Sequence, residues 1–383
     1  MMEQVLYQLP DDWKWQSFDK LFSTKGFSVG KVKSSEVIET GIIPVVDQSQ
    51  NFISGYSDKI ELSYVGELPV LIYGDHTNCV KYVDFEFICG ADGTKVMNIN
   101  ADLEPKFAFY LISKFKPDTQ GYRRHFSILK KINFPIPPKC KQKNIVEKLD
   151  AMFSRIDTAI AHLQESITLV DALYASTINE QMKLAIEQVG LSKVEEHIDQ
   201  IQTGTTPPTK QSEFYDSGDI SWFTPSDFGD HDVLTDSNRK LSYKAFDAGK
   251  ARKFEAGTVL LVAIGATIGK IGYLEHDASS NQQITGMKFS DKILPRYAYY
   301  WFRFIKSEII ANASTATLPI INQKGIKALS FCAPTKKLQE HICNKIDEVS
   351  LLRKEIRTEL NEKVDLMRLL KASVLDSAFK GEL

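Results

Sequence analysis

The sequence predicts an α+β fold: two mixed α/β globular domains separated by two long antiparallel helices that form a coiled coil, the whole related by a pseudo-twofold repeat. Three observations predict it. A segment recurs at an offset of 197 residues, both copies carry the periodicity of a long amphipathic helix, and the stretches between them change to short β-branched and aromatic runs.

The repeat is ungapped. Phe134, Pro137, Lys139, Gln142, Ile145, Lys148 and Asp150 recur as Phe331, Pro334, Lys336, Gln339, Ile342, Lys345 and Asp347. Leu163, Glu165, Leu169, Leu173, Ala175, Ser176 and Lys183 recur as Leu360, Glu362, Leu366, Leu370, Ala372, Ser373 and Lys380, which makes 14 identities over 50 positions. An uninterrupted match of that length implies duplication of a segment whose length matters.

Within each copy the apolar residues step by three and four, one stripe along a helix. Ile145, Leu149, Met152, Ile156 and Leu163 mark the first stripe, and Ile342, Ile346, Val349, Ile356 and Leu360 the second. Prolines precede both copies (Pro135 to Pro138, and Pro334), and Gly is absent until Gly190 and Gly381, so start and stop signals frame each helix. At about 1.5 Å per residue, roughly 45 residues make a rod of about 65 Å, longer than one ordinary domain. Such a stripe must be buried, and its duplicate is the expected mate. The intervening stretches hold strand-like runs at Leu68 to Tyr73, Lys81 to Cys89 and Thr258 to Ile264, and short helical patterns at Lys106 to Phe115 and Pro295 to Ile305. The expected division is a first domain at 1–139, a first long helix at 140–187, a second domain at 188–335 and a second long helix at 336–383.

Bulk properties narrow the class. The chain has 383 residues, 43% hydrophobic and 25% charged, the composition of a soluble protein with two or three domains. No apolar run is long enough to span a membrane, and the N-terminus does not read as a signal peptide. Five cysteines without a CxxC pair argue against a disulfide framework or a Cys-rich metal site and fit a reducing cytoplasm. A net charge of −2 counts against a protein that grips DNA alone, but not against one that shares a duplex with a partner.

With this layout, several strings in order resemble the Type I restriction specificity subunits over essentially the whole chain. These are Leu9-Pro10-Asp11-Asp12-Trp13, Tyr73-Gly74-Asp75-His76-Thr77 and Gly90-Ala91-Asp92-Gly93-Thr94-Lys95. They continue with Thr203-Gly204-Thr205-Thr206-Pro207, Trp222-Phe223-Thr224-Pro225-Ser226-Asp227, Gly265-Ala266-Thr267-Ile268-Gly269-Lys270, Asn281-Gln282-Gln283 and the tail Ala378-Phe379-Lys380-Gly381-Glu382-Leu383. One departure is that Lys141-Gln142 stands at the first helix start where the family has an acidic-Gln pair. The resemblance implies a non-catalytic subunit whose two target-recognition domains read a bipartite site on double-stranded DNA. It implies two methyltransferase subunits as partners and, through them, restriction subunits. S-adenosylmethionine, ATP and Mg²⁺ are then implied for those partners, with no cofactor bound by this chain.

Base edges are read by amide, hydroxyl, carboxylate and basic side chains. Candidates of those types are Asp75, His76, Thr77, Asn78 and Lys95 in the first domain, and Thr205, Thr206, Lys270, Asn281, Gln282 and Gln283 in the second. Each type also serves as an ordinary turn residue of the Asx or Ser/Thr kind, and both roles stay open at each position. Candidate phosphate contacts are Arg123, Arg124 and Lys130, and Arg239, Lys240, Lys250, Arg252 and Lys253, in clusters interleaved with aromatics. No catalytic or metal-ligating constellation is visible. Gly265 to Lys270 has three residues between Gly and Gly-Lys, with Ile271 after the lysine, so it is not a phosphate-binding P-loop. A fused modification-restriction enzyme would need a cofactor-binding sheet that no segment supplies. A coiled-coil adaptor without a DNA role would not need two domains rich in Asn, Gln and Thr.

Overall fold

Two long helices dominate the computed structural model, which describes residues 6–25, 30–90, 93–117, 124–229, 233–314 and 318–383. They run Lys139–Val189 and Lys336–Lys380, and Gly190 and Gly381, both at positive φ, end them. The first has 51 residues, about 75 Å at the standard rise. Contacts sort the chain into two compact units, Met1–Gln164 with Asn361–Leu383, and Glu165–Leu360, so each unit takes part of both helices.

In the first unit an antiparallel sheet has the order Phe22–Ser23, Thr94–Ile99, Val70–Gly74, Val80–Val83. A second sheet orders Lys31–Val32, Ile88–Gly90, Ile43–Val46 and Gly55–Ser57, its first three strands parallel. The run Lys81 to Cys89, expected as one strand, is thus two strands in different sheets. Exposed Asp84 and Glu86 lie in the bend between them, where a continuous strand would have to bury charge. Leu71, Tyr73 and Met97 face the helix Pro105–Phe115, and their core takes in Ile145, Leu149, Phe153 and Ile156 of the first long helix and Ala378 and Phe379 of the second. Asp157 and Lys371 pair across the two helices at 2.7 Å.

The second unit repeats the plan. Its main sheet orders Ile198–Thr203, Ile284–Phe289, Val259–Val262, Ile271–Leu274 and Val233–Leu234. Parallel pairing of Ile220–Phe223 with Ser279–Ser280 corresponds to that of Ile43–Val46 with Ile88–Gly90. The helix Pro295–Phe304 buries Tyr297, Tyr299, Tyr300, Trp301 and Phe302 in a core shared with Ile178, Met182, Ile342 and Ile346. Tyr300 donates to Asp347 on the second long helix at 2.5 Å, as Tyr110 donates to Asp150 on the first. Here the helices run antiparallel, since Asp171 meets Arg357 while Tyr174, one turn on, lies under Arg353 four residues earlier.

The residues assigned from the sequence to the helix pair lie partly in the lobe cores, Ile145, Leu149 and Ile156 in the first and Ile342 and Ile346 in the second. Ile145, Leu149, Ile156, Ile342 and Ile346 are buried, and Leu163, Val349 and Leu360 half-buried. Two are not. Met152 is 36% exposed, because the inward step from Leu149 is four residues, to Phe153. Ile356 is 39% exposed, while Arg353 and Arg357, paired with the Asp171 carboxylate, have side chains only 14% and 28% exposed.

Candidate nucleic-acid interface

In the first unit Asp75, His76, Thr77 and Asn78 sit on the turn joining Val70–Gly74 to Val80–Val83. Five consecutive buried strand residues bring the chain to Gly74, and Asn78 at φ +56 turns it back, a conformation Asn tolerates better than most residues. The carboxylate of Asp75, 6% exposed, accepts from the backbone of Phe126 at 2.9 Å, and its carbonyl accepts from the backbone of His125 at 2.9 Å. Asn78 accepts from the Tyr73 hydroxyl at 2.6 Å, and its amide donates to the Pro117 carbonyl. Both side chains are consumed by the fold, and neither is free to meet a base edge. His76 and Thr77 remain at the tip, held by Gln48: its amide oxygen accepts from the His76 backbone at 3.2 Å, and its carbonyl accepts from the Thr77 hydroxyl at 2.5 Å. Lys95 lies opposite Tyr73 on the neighbouring strand, half-buried, and its ammonium meets no partner among the described residues.

The second unit brings Thr205, Thr206, Asn281, Gln282 and Gln283 together. Thr205 receives the Trp222 indole on its carbonyl at 3.0 Å and the Arg252 backbone on its hydroxyl at 3.0 Å. Thr206 donates to Gln282, and both side chains are exposed. Asn281 is 8% exposed and closes a turn with Gln283: its carbonyl oxygen accepts from the Gln283 backbone and its amide donates to the Gln283 side chain, both at 3.0 Å. Lys270 is committed to structure as well. Its ammonium donates to the carbonyls of Pro225 at 3.2 Å and Phe228 at 3.0 Å. Gly265 and Gly269, at φ +108 and +85, let the chain make the turn before it, which is why that string carries glycines.

The basic candidates also divide. Arg239 is exposed, with its guanidinium over Trp222 at 5.0 Å and Tyr215 at 5.5 Å, an aromatic bed that leaves its outer face open. Lys250 and Arg124 are exposed and without a side-chain partner among the described residues. Lys240 pairs with Asp236 at 3.0 Å and Lys253 with Asp277 at 2.7 Å, while Arg252 donates to the Thr203 carbonyl at 2.5 Å. Lys130 is exposed over the Phe126 ring at 5.2 Å. Arg123 lies outside the described residues.

Sequence reasoning missed the loops 47–51 and 224–228 as partners of these turns. Gln48 tethers the first turn, and Asp227 organises the second loop, accepting from the Thr224 backbone and hydroxyl at 2.7 Å each and from Asn238 at 2.8 and 3.0 Å. The polar run Asp47-Gln48-Ser49-Gln50-Asn51 was the available signal.

The profile of the family described as Type I restriction modification DNA specificity domain matches residues 10–169 and 193–366, once for each lobe with part of the long helix that follows it. The chain belongs to this family. Among similar proteins of known class, the specificity subunit of the Escherichia coli Type I restriction enzyme EcoR124I/EcoR124II is 22% identical over 349 residues, covering 88% of this chain and 86% of that one. The MjaIX specificity subunit of Methanocaldococcus jannaschii is 29% identical over 192 residues, covering 48% of this chain and 44% of its own. Among solved structures, a chain from work on complex assembly and conformational transition of the type I R-M system superposes with a TM-score of 0.71 at 17% identity, covering 99% of this chain and all of that one. The HsdS subunit of Thermoanaerobacter tengcongensis gives 0.50 at 16% identity, covering 98% and 99%. In the two matched domains the pairing of Val70–Gly74 with Thr94–Ile99 recurs as that of Val259–Val262 with Ile284–Phe289. Among their described residues no three His, Cys, Asp or Glu side chains are grouped to hold a metal ion, and no helix is long and apolar enough to cross a membrane.

Proposed function

We propose that this chain is the sequence-reading, non-catalytic subunit of a Type I restriction-modification complex. It binds a bipartite DNA target, one half through the lobe within 1–139 and the other through the lobe within 188–335. Its long helices, 140–187 and 336–383, dock two methyltransferase subunits and, through them, restriction subunits. S-adenosylmethionine, ATP and Mg²⁺ belong to those partners, and the complex works in the cytoplasm. The observation that carries this reading is the two-fold family match, one lobe at a time. Two lobes that share strand pairing but carry unlike polar groups, His76 and Thr77 on the turn after Val70–Gly74 and Thr206 and Gln282 beside Ile198–Thr203 and Ile284–Phe289, are suited to two unlike half-sites.

The deciding experiment maps methylated adenines in the host genome with and without the gene. Loss of one two-part motif on deletion is the expected result. Retention of every motif would leave the chain without a reading role and favour an adaptor. Titration of the purified chain with S-adenosylmethionine is expected to show no binding, whereas saturable binding would mean that it carries its own methylation site.

A further inference from the structure

Lys81 and Lys270 form a duplicated device. Lys81 lies on the returning strand of its lobe's central hairpin and Lys270 immediately before it, and each ties down the loop that follows the strand of the parallel pair. Lys81, 4% exposed, donates to the carbonyls of Asp47 at 2.7 Å and Asn51 at 2.5 Å, with the Asp47 carboxylate 3.7 Å away. Lys270 donates in the same way to the carbonyls of Pro225 and Phe228. Each side chain lies on the face of the strand that meets the parallel pair. Lys81 shares its face with Val83, which is clustered with Val46, and Lys270 shares its face with Leu274, which is clustered with Phe223. Yet the two are not register equivalents. Lys81 stands opposite Ile72, whereas Lys270 precedes the Leu261–Ile271 pair on the turn side. A shared scaffold alone does not require a lysine at two different register positions to grip the same loop.

The choice of residue also needs a reason. Burial of the Lys81 ammonium works against its charge, and packing alone would be served as well by Met or Leu. What lysine adds is three directed donors that fix two carbonyls of one short loop at once. In the first lobe that loop carries Gln48, which holds the backbone of His76 and the hydroxyl of Thr77. In the second it carries exposed Ser226, and Asp227, which holds Thr224 and Asn238.

We infer that the loops 47–51 and 224–228 take part in reading the two half-targets, and that Lys81 and Lys270 are the positioning residues that hold them in register with the hairpin tips. The inference rests on the proposed DNA-reading role. A base-edge hydrogen bond discriminates only while its donor is held in place, so releasing one loop relaxes one half-site and leaves the other intact.

The test replaces the chromosomal gene by Lys81→Met or Lys270→Met and maps methylated adenines, with the soluble yield and melting of each purified variant measured alongside. Lys81→Met is expected to raise methylation at sites mismatched in one half of the motif by roughly ten-fold, the factor for about one weakened base contact. Lys270→Met should do the same for the other half only. If a variant is insoluble, Lys81→Gln or Lys270→Gln takes its place, its shorter side chain lacking the reach to bridge both carbonyls, and is held to the same outcome. Uniformly lower methylation with both half-sites unrelaxed, or an unchanged profile, overturns the inference and leaves the lysines as scaffold. Absence of any two-part motif from the parent strain is a separate outcome, which overturns the DNA-reading role itself.

Discussion

Gln142 and Gln339 hold the same three-bond clasp 197 residues apart. Each is buried, at 1% and 0% exposed. The Gln142 carbonyl oxygen accepts from the Glu104 backbone at 2.7 Å while its amide donates to the Asp102 and Pro137 carbonyls. The Gln339 carbonyl oxygen accepts from the Leu294 backbone at 2.8 Å and its amide donates to the Lys292 and Pro334 carbonyls. One side chain therefore joins the start of a long helix, the start of the short aromatic helix and the segment that enters the long helix. Gln142→Leu or Gln339→Leu takes the partner from three backbone groups, of which the Pro137 or Pro334 carbonyl is in a buried bond and the other two in part-buried ones. At about 1–3 kcal/mol for a buried group left unsatisfied, each variant is expected to lose about 3 kcal/mol, read as a shifted denaturation midpoint with unchanged slope. A midpoint shift under about 0.5 kcal/mol would mean that water replaces the clasp without penalty.

The inter-helix ion pairs at Asp171 and Asp157 are expected to differ in strength. Asp171 accepts from Arg353 at 2.6 Å and Arg357 at 3.3 Å, and the Arg353 side chain is only 14% exposed and stacked on Tyr174. Asp157, 57% exposed, meets Lys371 alone among the described residues. Asp171→Ala takes the carboxylate away from two neighbouring guanidiniums, one of them mostly buried, and is expected to cost about 2 kcal/mol, whereas Asp157→Ala costs under about 1 kcal/mol because water screens the pair. Denaturation of both variants at low and at 0.5 M salt checks the order. Equal losses would show that the buried Arg353 gains nothing over an exposed lysine.

What was legible in the sequence was local or repeated. The steps Ile145, Leu149 and Ile156 need only a helical period, and the match of Gln142 to Gln339 needs only alignment. What was not legible depends on register and on contacts between distant positions. Lys81 and Asn51 are 30 residues apart, and nothing in either type announces the other. Lys270 reads as a base-contact candidate because its string is polar and glycine-rich. Only its place at the end of the turn, just before the strand Ile271–Leu274, shows that the ammonium points back to Pro225 and Phe228. Asn78 reads the same way until its positive φ and its bond from Tyr73 place it in the turn. Met152 and Phe153 are adjacent apolar residues, and a periodic count does not choose between them; the packing beneath Phe107 and Tyr110 chooses Phe153.

Partner status ranks the basic candidates. Each phosphate neutralised contributes about −0.9 to the slope of log K against log salt. Arg239→Ala and Lys250→Ala are each expected to reduce that slope by about 1 for the chain bound to DNA with its methyltransferase partner, without changing the preferred sequence. Lys253→Ala, whose ammonium already has Asp277, is expected to change it by less than half as much. An equal fall for all three would mean that the Asp277 pair opens on DNA at no cost.

Asp227 gives the second lobe a pH dependence of definite sign. Burial pushes its carboxyl up, but hydrogen bonds from Asn238 and Thr224 more than reverse that and hold it below the ordinary 3.8. A group whose folded value is lowered adds stability in full above its unfolded value and loses it as pH falls through the folded one. The contribution is therefore constant from pH 8 to about 5, and fades once pH drops below 3.8 toward the lowered value. Asp227→Asn keeps the shape but turns one amide hydrogen pair toward donors from Thr224 or Asn238. It is expected to cost about 1–2 kcal/mol at neutral pH. Melting the parent and Asp227→Asn side by side should show a gap that is flat down to pH 5 and narrows below 3.8. A gap that stays constant or widens in acid would mean that the ionised carboxylate does not hold the 224–228 loop, and that the loop owes its shape to the Lys270 ammonium alone.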